Sequence, residues 1–214
     1  MNNSVLVNNN KVTVTGKVVS VPVFSHEVYD EKFFLFTIEV PRLSDAKDYI
    51  KVTVSEKLIS AVPFEIGDVL SIKGQFRSYN NFSNVGNRLI LTVFVKDMEI
   101  CGEDEYSENP NSIFLKGYLC KEPVYRTTPF GREITDLLVA VNRSYNKSDY
   151  IPCIAWGRNA KYASTLSVGD SVSIHGRIQS RNYQKKIGED TVESKTAYEI
   201  SISKIDANEI EDEF

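Results

Sequence analysis

Residues 150–157 read Tyr-Ile-Pro-Cys-Ile-Ala-Trp-Gly and contain the only tryptophan of this 214-residue chain. At a side-chain period of two, Tyr150, Pro152, Ile154 and Trp156 share one face of a strand, and Ile151, Cys153 and Ala155 share the other. The second face is small and apolar, as a core requires. The first carries two large rings, which alone suit a core at least as well as a surface. The surrounding sequence decides between them.

The same stretch has a counterpart earlier in the chain, because the sequence repeats itself. Val14, Gly16, Pro22, Val23 and Phe24 fall on Leu115, Gly117, Pro123, Val124 and Tyr125, 101 residues later. Phe36, Ile38, Val40, Arg42, Asp48, Tyr49 and Ile50 fall in the same way on Leu137, Val139, Val141, Arg143, Asp149, Tyr150 and Ile151. Gly67, Asp68, Gly74 and Ser78 then match Gly169, Asp170, Gly176 and Ser180 at an offset of 102. The pattern predicts two copies of one domain, at 1–101 and 111–205, joined by an acidic linker at 102–110 and followed by an acidic C-terminal tail at 206–214.

Each copy shows short alternating runs punctuated by Gly and Pro, the signature of a small all-β barrel. In the second copy strands are expected near 112–120, 132–142, 149–156, 170–183 and 196–205, with Pro129-Phe130-Gly131 turning the first hairpin. Between the third and fourth strands, Ala160, Ala163 and Leu166 recur at helical spacing before Gly169; Leu58, Ile59 and Val62 repeat the signal until Pro63. The predicted fold class is therefore all-β: two tandem five-stranded OB-fold barrels, each with a short helix between strands 3 and 4. Gly74 and Gly176 mark a bend inside the long fourth strand, and neither sits in a phosphate-loop pattern.

Composition narrows the function. The three cysteines form no CxxC pair and the two histidines stand far apart, so neither a disulfide framework, a metal centre nor a nucleophilic triad is expected. No signal peptide or membrane span is predicted, which makes cytoplasmic residence the expectation. The formal charge of −4 hides a partition: 102–110 and 206–214 are purely acidic, 1–101 balances 11 bases against 11 acids, and 111–205 carries 14 bases against 9 acids. A cationic second half bears on partners rather than on fold.

Binding a single nucleic-acid strand without reading its sequence needs cations for phosphates and flat rings for bases. The second copy offers Tyr150, Trp156, Tyr183 and Tyr145 as rings, and Arg126, Arg143, Arg158, Arg177, Arg181, Lys185 and Lys186 as cations. The first copy is a weaker version: Tyr49 repeats Tyr150, Ser55 stands where Trp156 does, and Tyr79, Phe82, Lys51 and Arg77 complete its candidate face.

The second copy, from Ile113 to about Ile205, resembles the bacterial single-stranded DNA-binding protein (SSB) family. The resemblance rests on Phe-Leu-Lys-Gly at 114–117, Glu122-Pro123-Val124, Arg126-Thr127-Thr128-Pro129-Phe130-Gly131, Ala140-Val141-Asn142-Arg143, Ala155-Trp156-Gly157-Arg158-Asn159-Ala160 and Gly176-Arg177-Ile178-Gln179-Ser180-Arg181. It implies base-stacking roles for Tyr150, Trp156 and Tyr183, a basic role for Arg158, and partner recruitment by an acidic tip, here Asp212, Glu213 and Phe214. Family members with two barrels per chain usually pair, which implies a homodimer holding four OB-folds, with a two-barrel monomer as the alternative. Three departures stand out: Pro152 inside the third strand, a short loop from Arg143 to Asp149, and Glu213 where a proline usually precedes the final Phe.

The resulting expectation is a non-enzymatic protein that coats and protects single-stranded DNA in replication, recombination or repair. It would need no cofactor and act at the nucleoid, mainly through its second OB-fold. The alternative is an OB-fold adaptor that binds replisome or primosome proteins.

Overall fold

A computed structural model describes residues 8–80, 89–102, 109–186 and 192–208. In the first copy, strands β1 (Asn10–Val18), β2 (Val23–Val28), β3 (Glu31–Pro41) and β4 (Lys47–Ser55) are followed by helix α1 (Glu56–Ala61) and strands β5 (Val69–Asn80) and β6 (Leu89–Cys101). The second copy repeats the order: β7 (Asn111–Leu119), β8 (Val124–Thr127), β9 (Glu133–Arg143), β10 (Lys147–Trp156), α2 (Arg158–Ala163), β11 (Ser171–Lys186) and β12 (Val192–Asn208). The five strands and one helix read from the sequence are all present. The additional β2 and β8 are short and exposed, so alternation gave them no signal.

In copy one the pairings run from β1 to β5, β5 to β6, β6 to β4, β4 to β3, and back to β1 through Lys17↔Glu39 and Val18↔Ile38. Copy two repeats the circuit, returning to β7 through Tyr118↔Ala140 and Leu119↔Val139. The β6–β4 and β12–β10 links are parallel and two residues long. The all-β OB-fold order is thus present in both halves.

Alternation builds each core. Phe36, Ile38, Val40, Ile50, Val52 and Val54 are buried in copy one, as are Val139, Val141, Ile151, Cys153 and Ala155 in copy two. Each large side chain so buried contributes about 1.5–3 kcal/mol. Burial also pushes the Cys153 thiol above its ordinary value, consistent with an inert core residue. Gly74 and Gly176 lie at the register shifts of the long strands, where an added Cβ would run into the Phe94 and Ser201 carbonyl oxygens respectively. These bulges need glycine for close backbone approach.

Pro152 causes no irregularity. β10 pairs with β9 in continuous register from Lys147↔Arg143 to Trp156↔Ile134 through Pro152↔Leu138. The change of offset from 101 to 102 also has a local origin. α1 follows β4 directly, with Ser55 as its cap, whereas Gly157 is inserted between Trp156 and α2, at φ 53° and ψ −119°.

The copies are joined as one sheet. β1 and β7 pair antiparallel from Asn10↔Leu115 to Val14↔Asn111. The matched aspartates cross this junction. Asp48 accepts the Ser180 N–H at 2.7 Å, and Asp149 accepts the Ser78 N–H at 2.6 Å. The matched serines answer them, Ser180 Oγ accepting the Tyr49 N–H and Ser78 Oγ the Tyr150 N–H. Asn111 plays the equivalent of Asn10: each amide side chain donates to the C=O and accepts from the N–H of one residue inside the long strand of its own copy, Ile178 and Phe76 respectively. The linker's residues 103–108 and the tail's residues 209–214, with Asp212, Glu213 and Phe214, lie outside the described residues. Asp206 and Ala207, at the start of the expected tail, continue β12 opposite Ser173 and Val172. Among the described residues no helix is long and apolar enough to cross a membrane.

Candidate nucleic-acid interface

The second copy's candidate residues lie on β8, β9, β10 and β11, on the β9–β10 hairpin and at the start of α2. Tyr150 is 48% exposed on β10, and Trp156 is half-buried at the end of the same strand. Their shared face is not open throughout, because Ile154 between them is 5% exposed, floored by its neighbours Asp136 and Ser201 on the flanking strands. Trp156 lines an open cleft of about 480 Å³ with Thr128, Phe130 and Arg132. Phe130 is 92% exposed at the turn between β8 and β9, where Gly131 takes φ 76° and its N–H donates to the Thr128 carbonyl. Sequence reasoning used Pro129-Phe130-Gly131 as a turn and missed the ring it holds out. Tyr145, 94% exposed, tips the β9–β10 hairpin, which Tyr145 and Asn146 turn with φ of 63° and 52°. Tyr183 is half-buried near the end of β11.

The candidate cations divide. Arg158 is exposed as the first residue of α2, and Lys185 and Lys186 lie on the last turn of β11 backbone, their side chains outside the described residues. Arg126 pairs with Asp136 at 2.6 Å and Arg181 lies 4.0 Å from Glu199. Arg177 and Arg143 are held at the junction instead. Arg177 reaches Asp48 across the copies at 3.2 Å, and Arg143 lies 3.2 Å from the fully buried Asp149. Their guanidiniums face protein carboxylates at the junction. Period-two reading could not show this, because the bulge at Gly176 turns β11: His175 packs against Phe114 at 4.9 Å, while Gln179 bonds Glu199 at 3.0 Å.

Two acids therefore sit among the rings and cations of copy two. Asp136 and Glu199 face the same surface, and burial first, then the Asp136 charge, pushes the Glu199 carboxyl up against the opposing pull of Arg181, Gln179 and Arg126. A raised carboxyl takes up its proton earlier as pH falls, and the surface then loses a negative charge. Replacing Glu199 with Gln is expected to tighten oligo(dT) binding at neutral pH by about 1 kcal/mol, the Coulomb energy of a carboxylate and a phosphate some 4 Å apart in water. Wild-type affinity rises as pH falls through the raised carboxyl, and that part of the rise disappears in the variant. Titrations across mildly acidic pH test both statements, and equal or weaker binding by Glu199→Gln contradicts them.

Copy one carries rings and cations of its own. Tyr49 is 44% exposed, its hydroxyl donating to Glu39 at 3.0 Å, and Lys51 is half-buried beside it on β4. Tyr79 is 38% exposed on β5, whereas Phe82 lies outside the described residues. Three rings that the sequence reading passed over form a continuous stack. His26 lies flat on Phe33 at 5.0 Å, Phe33 meets Phe94 at 5.6 Å, and the Arg77 guanidinium covers Phe94 at 3.7 Å. They come from β2, β3, β6 and β5, so no single-strand window contains two of them except by pairing. Among the described residues no group of three or more His, Cys, Asp or Glu could hold a metal ion.

Two ring-and-cation faces on tandem OB-folds define the class of protein. Over the whole chain the fold is similar to that of the wild-type single-stranded DNA-binding protein from Thermus aquaticus, with a TM-score of 0.75 over 94% of this chain and 93% of that one, at 16% identity. Residues 110–207 match the single-strand binding protein family. Within that region the chain is 38% identical over 85 residues to single-stranded DNA-binding protein 1 of Staphylococcus aureus, covering 36% of this chain and 51% of that protein. Single-stranded DNA-binding protein A of Bacillus subtilis is 35% identical over 86 residues, covering 37% and 50%. The chain spans about half the length of these relatives.

Proposed function

We propose that this protein binds single-stranded DNA without enzymatic action and largely without regard to sequence, coating and protecting it in replication, recombination or repair. The observation that carries the reading is the cleft where Trp156, Phe130 and Arg132 converge at the end of a surface bearing Tyr150, in a copy that matches the single-strand binding protein family. Rings accept bases of any identity, and the arginine accepts a phosphate. Arg158, Arg181 and Arg126 extend the cationic path, with Arg126 and Arg181 exchanging their carboxylate partners for phosphate. Cytoplasmic, nucleoid-associated action and a homodimer of four OB-folds fit this reading, as does recruitment of replication or repair proteins by Asp212, Glu213 and Phe214.

Trp156 provides its own assay, being the sole tryptophan. Titration with oligo(dT) is expected to quench its fluorescence to saturation, with affinity falling as salt rises because phosphate neutralisation releases counterions. Absence of both quenching and salt-dependent binding refutes the reading and favours a protein ligand for these OB-folds.

A further inference from the structure

We infer that Ser78 of the first copy is a positioning residue for Tyr150 of the second, and Ser180 of the second copy one for Tyr49 of the first, so that neither binding face is complete without the other copy. The inference deepens the single-strand reading above, in which Tyr150 stacks on a base, and rests on it. Each serine hydroxyl accepts the N–H of the other copy's tyrosine, Ser78 Oγ that of Tyr150 at 2.7 Å and Ser180 Oγ that of Tyr49 at 2.9 Å. The tyrosines match at an offset of 101 and the serines at 102, and both tyrosine rings are exposed.

Three observations carry it. First, the strands that bear the tyrosines are paired on one edge only where the rings stand. β9 runs along the whole of β10, but β12 joins the other edge only at Cys153 and Ile154; in copy one β6 joins β4 only at Val52 and Thr53. Tyr150 and Tyr49 precede those links, and their N–H groups go to the other copy's long strand instead of closing a ladder within their own. An edge without a partner opens easily, and a fixed acceptor there holds the residue that carries the ring. Second, the acceptors are themselves fixed. Ser78 is buried, and its N–H donates at 2.6 Å to the fully buried Asp149, the residue before Tyr150. Ser180 donates to Asp48, the residue before Tyr49, from its N–H at 2.7 Å and its hydroxyl at 3.3 Å. Each serine therefore grips two successive residues of the other copy, and a ring held in this way loses less freedom when a base stacks on it. Third, the hydroxyl bond is additional to what joins the copies. The β1–β7 ladder and the two aspartates already tie them together. The serine hydroxyl adds a bond to the one peptide that bears the exposed ring, and it does so twice, reciprocally.

The test changes copy one and reads copy two, through the fluorescence of the sole tryptophan, Trp156, during oligo(dT) titration. It compares wild type, Ser78→Ala, Ser78→Thr, Tyr150→Ala and the Ser78→Ala/Tyr150→Ala double variant, with urea unfolding midpoints measured alongside. Ser78→Ala is expected to weaken binding about fivefold, the worth of one hydrogen bond, and to leave the slope of log affinity against log salt unchanged, because no phosphate contact is lost. Ser78→Thr keeps the hydroxyl, on a strand that suits a β-branched residue and beside an open cleft of about 360 Å³, and is expected to bind as wild type does. Tyr150→Ala alone is expected to weaken binding about tenfold. Adding Ser78→Ala to it then has no further effect, the coupling of a positioning residue with the ring it positions. A serine that served folding alone would lower the unfolding midpoint and show no such dependence on the ring. Undiminished binding by Ser78→Ala, equal losses with and without the Tyr150 ring, or a threonine variant as weak as the alanine one overturns the positioning role and leaves the single-strand reading standing on wild-type binding. Wild-type failure to bind oligo(dT) refutes that reading and this inference with it.

Discussion

Replacing Asp48 with alanine is expected to lower unfolding stability by about 3–5 kcal/mol, the typical cost of removing one member of a buried charge network. Asp48 is 1% exposed and takes bonds from both copies: Arg42 at 2.6 and 2.8 Å, Arg177 at 3.2 Å and the Ser180 N–H at 2.7 Å. Alanine leaves two like-charged guanidiniums facing each other and a backbone donor without its acceptor. The matched Asp149→Ala change is expected to cost less. Asp149 also anchors a serine N–H, but its second oxygen accepts no hydrogen bond, and burial already pushes its carboxyl above its ordinary value. The sign follows from linkage: the native state binds this proton more readily than the unfolded chain does, so Asp149's contribution improves as pH falls through its raised pKa. Urea denaturation of both variants measures the contrast, and an Asp149→Ala loss equal to or above that of Asp48→Ala contradicts it.

The junction shows which parts of the molecule the sequence could disclose. The repeat exposed Asp48 and Asp149 as counterparts, and alternation located the strands that carry them. What it could not supply was the direction of each carboxylate across the junction, since that depends on β1 pairing with β7, residues some hundred positions apart. For Arg143 and Arg177 the charge is visible in the sequence, but the carboxylates they face, Asp149 and Asp48, are not. The ring stack of copy one was hidden differently. His26 lies on a short exposed strand with no alternation, and Phe33 and Phe94 lie on strands that also bury apolar side chains, so nothing in the sequence set them apart. Trp156 was legible because it is unique and ends a strongly alternating strand. Phe130, its neighbour in space, was masked by its position in a turn.

Replacing Trp156 with alanine is expected to weaken oligo(dT) binding by about 1–3 kcal/mol, the worth of one base stack, with little effect on folding because the ring is only half-buried. Ser55, its counterpart at an offset of 101, has a different role. Its hydroxyl accepts the Leu58 N–H at 3.3 Å and caps α1, whereas α2 begins after Gly157 with no side-chain cap. Ser55→Ala is therefore expected to cost about 0.5–2 kcal/mol of stability through the lost cap while leaving DNA affinity unchanged. The pair separates two uses of one strand position: at the end of β4 the side chain turns inward to start a helix, and at the end of β10 an inserted glycine starts the helix and releases the side chain to the cleft. Thermal unfolding and anisotropy titrations on both variants decide it. Comparable losses of affinity in Ser55→Ala and Trp156→Ala would show that the end of β4 also touches DNA, and that the inserted glycine does not divide the copies in this way.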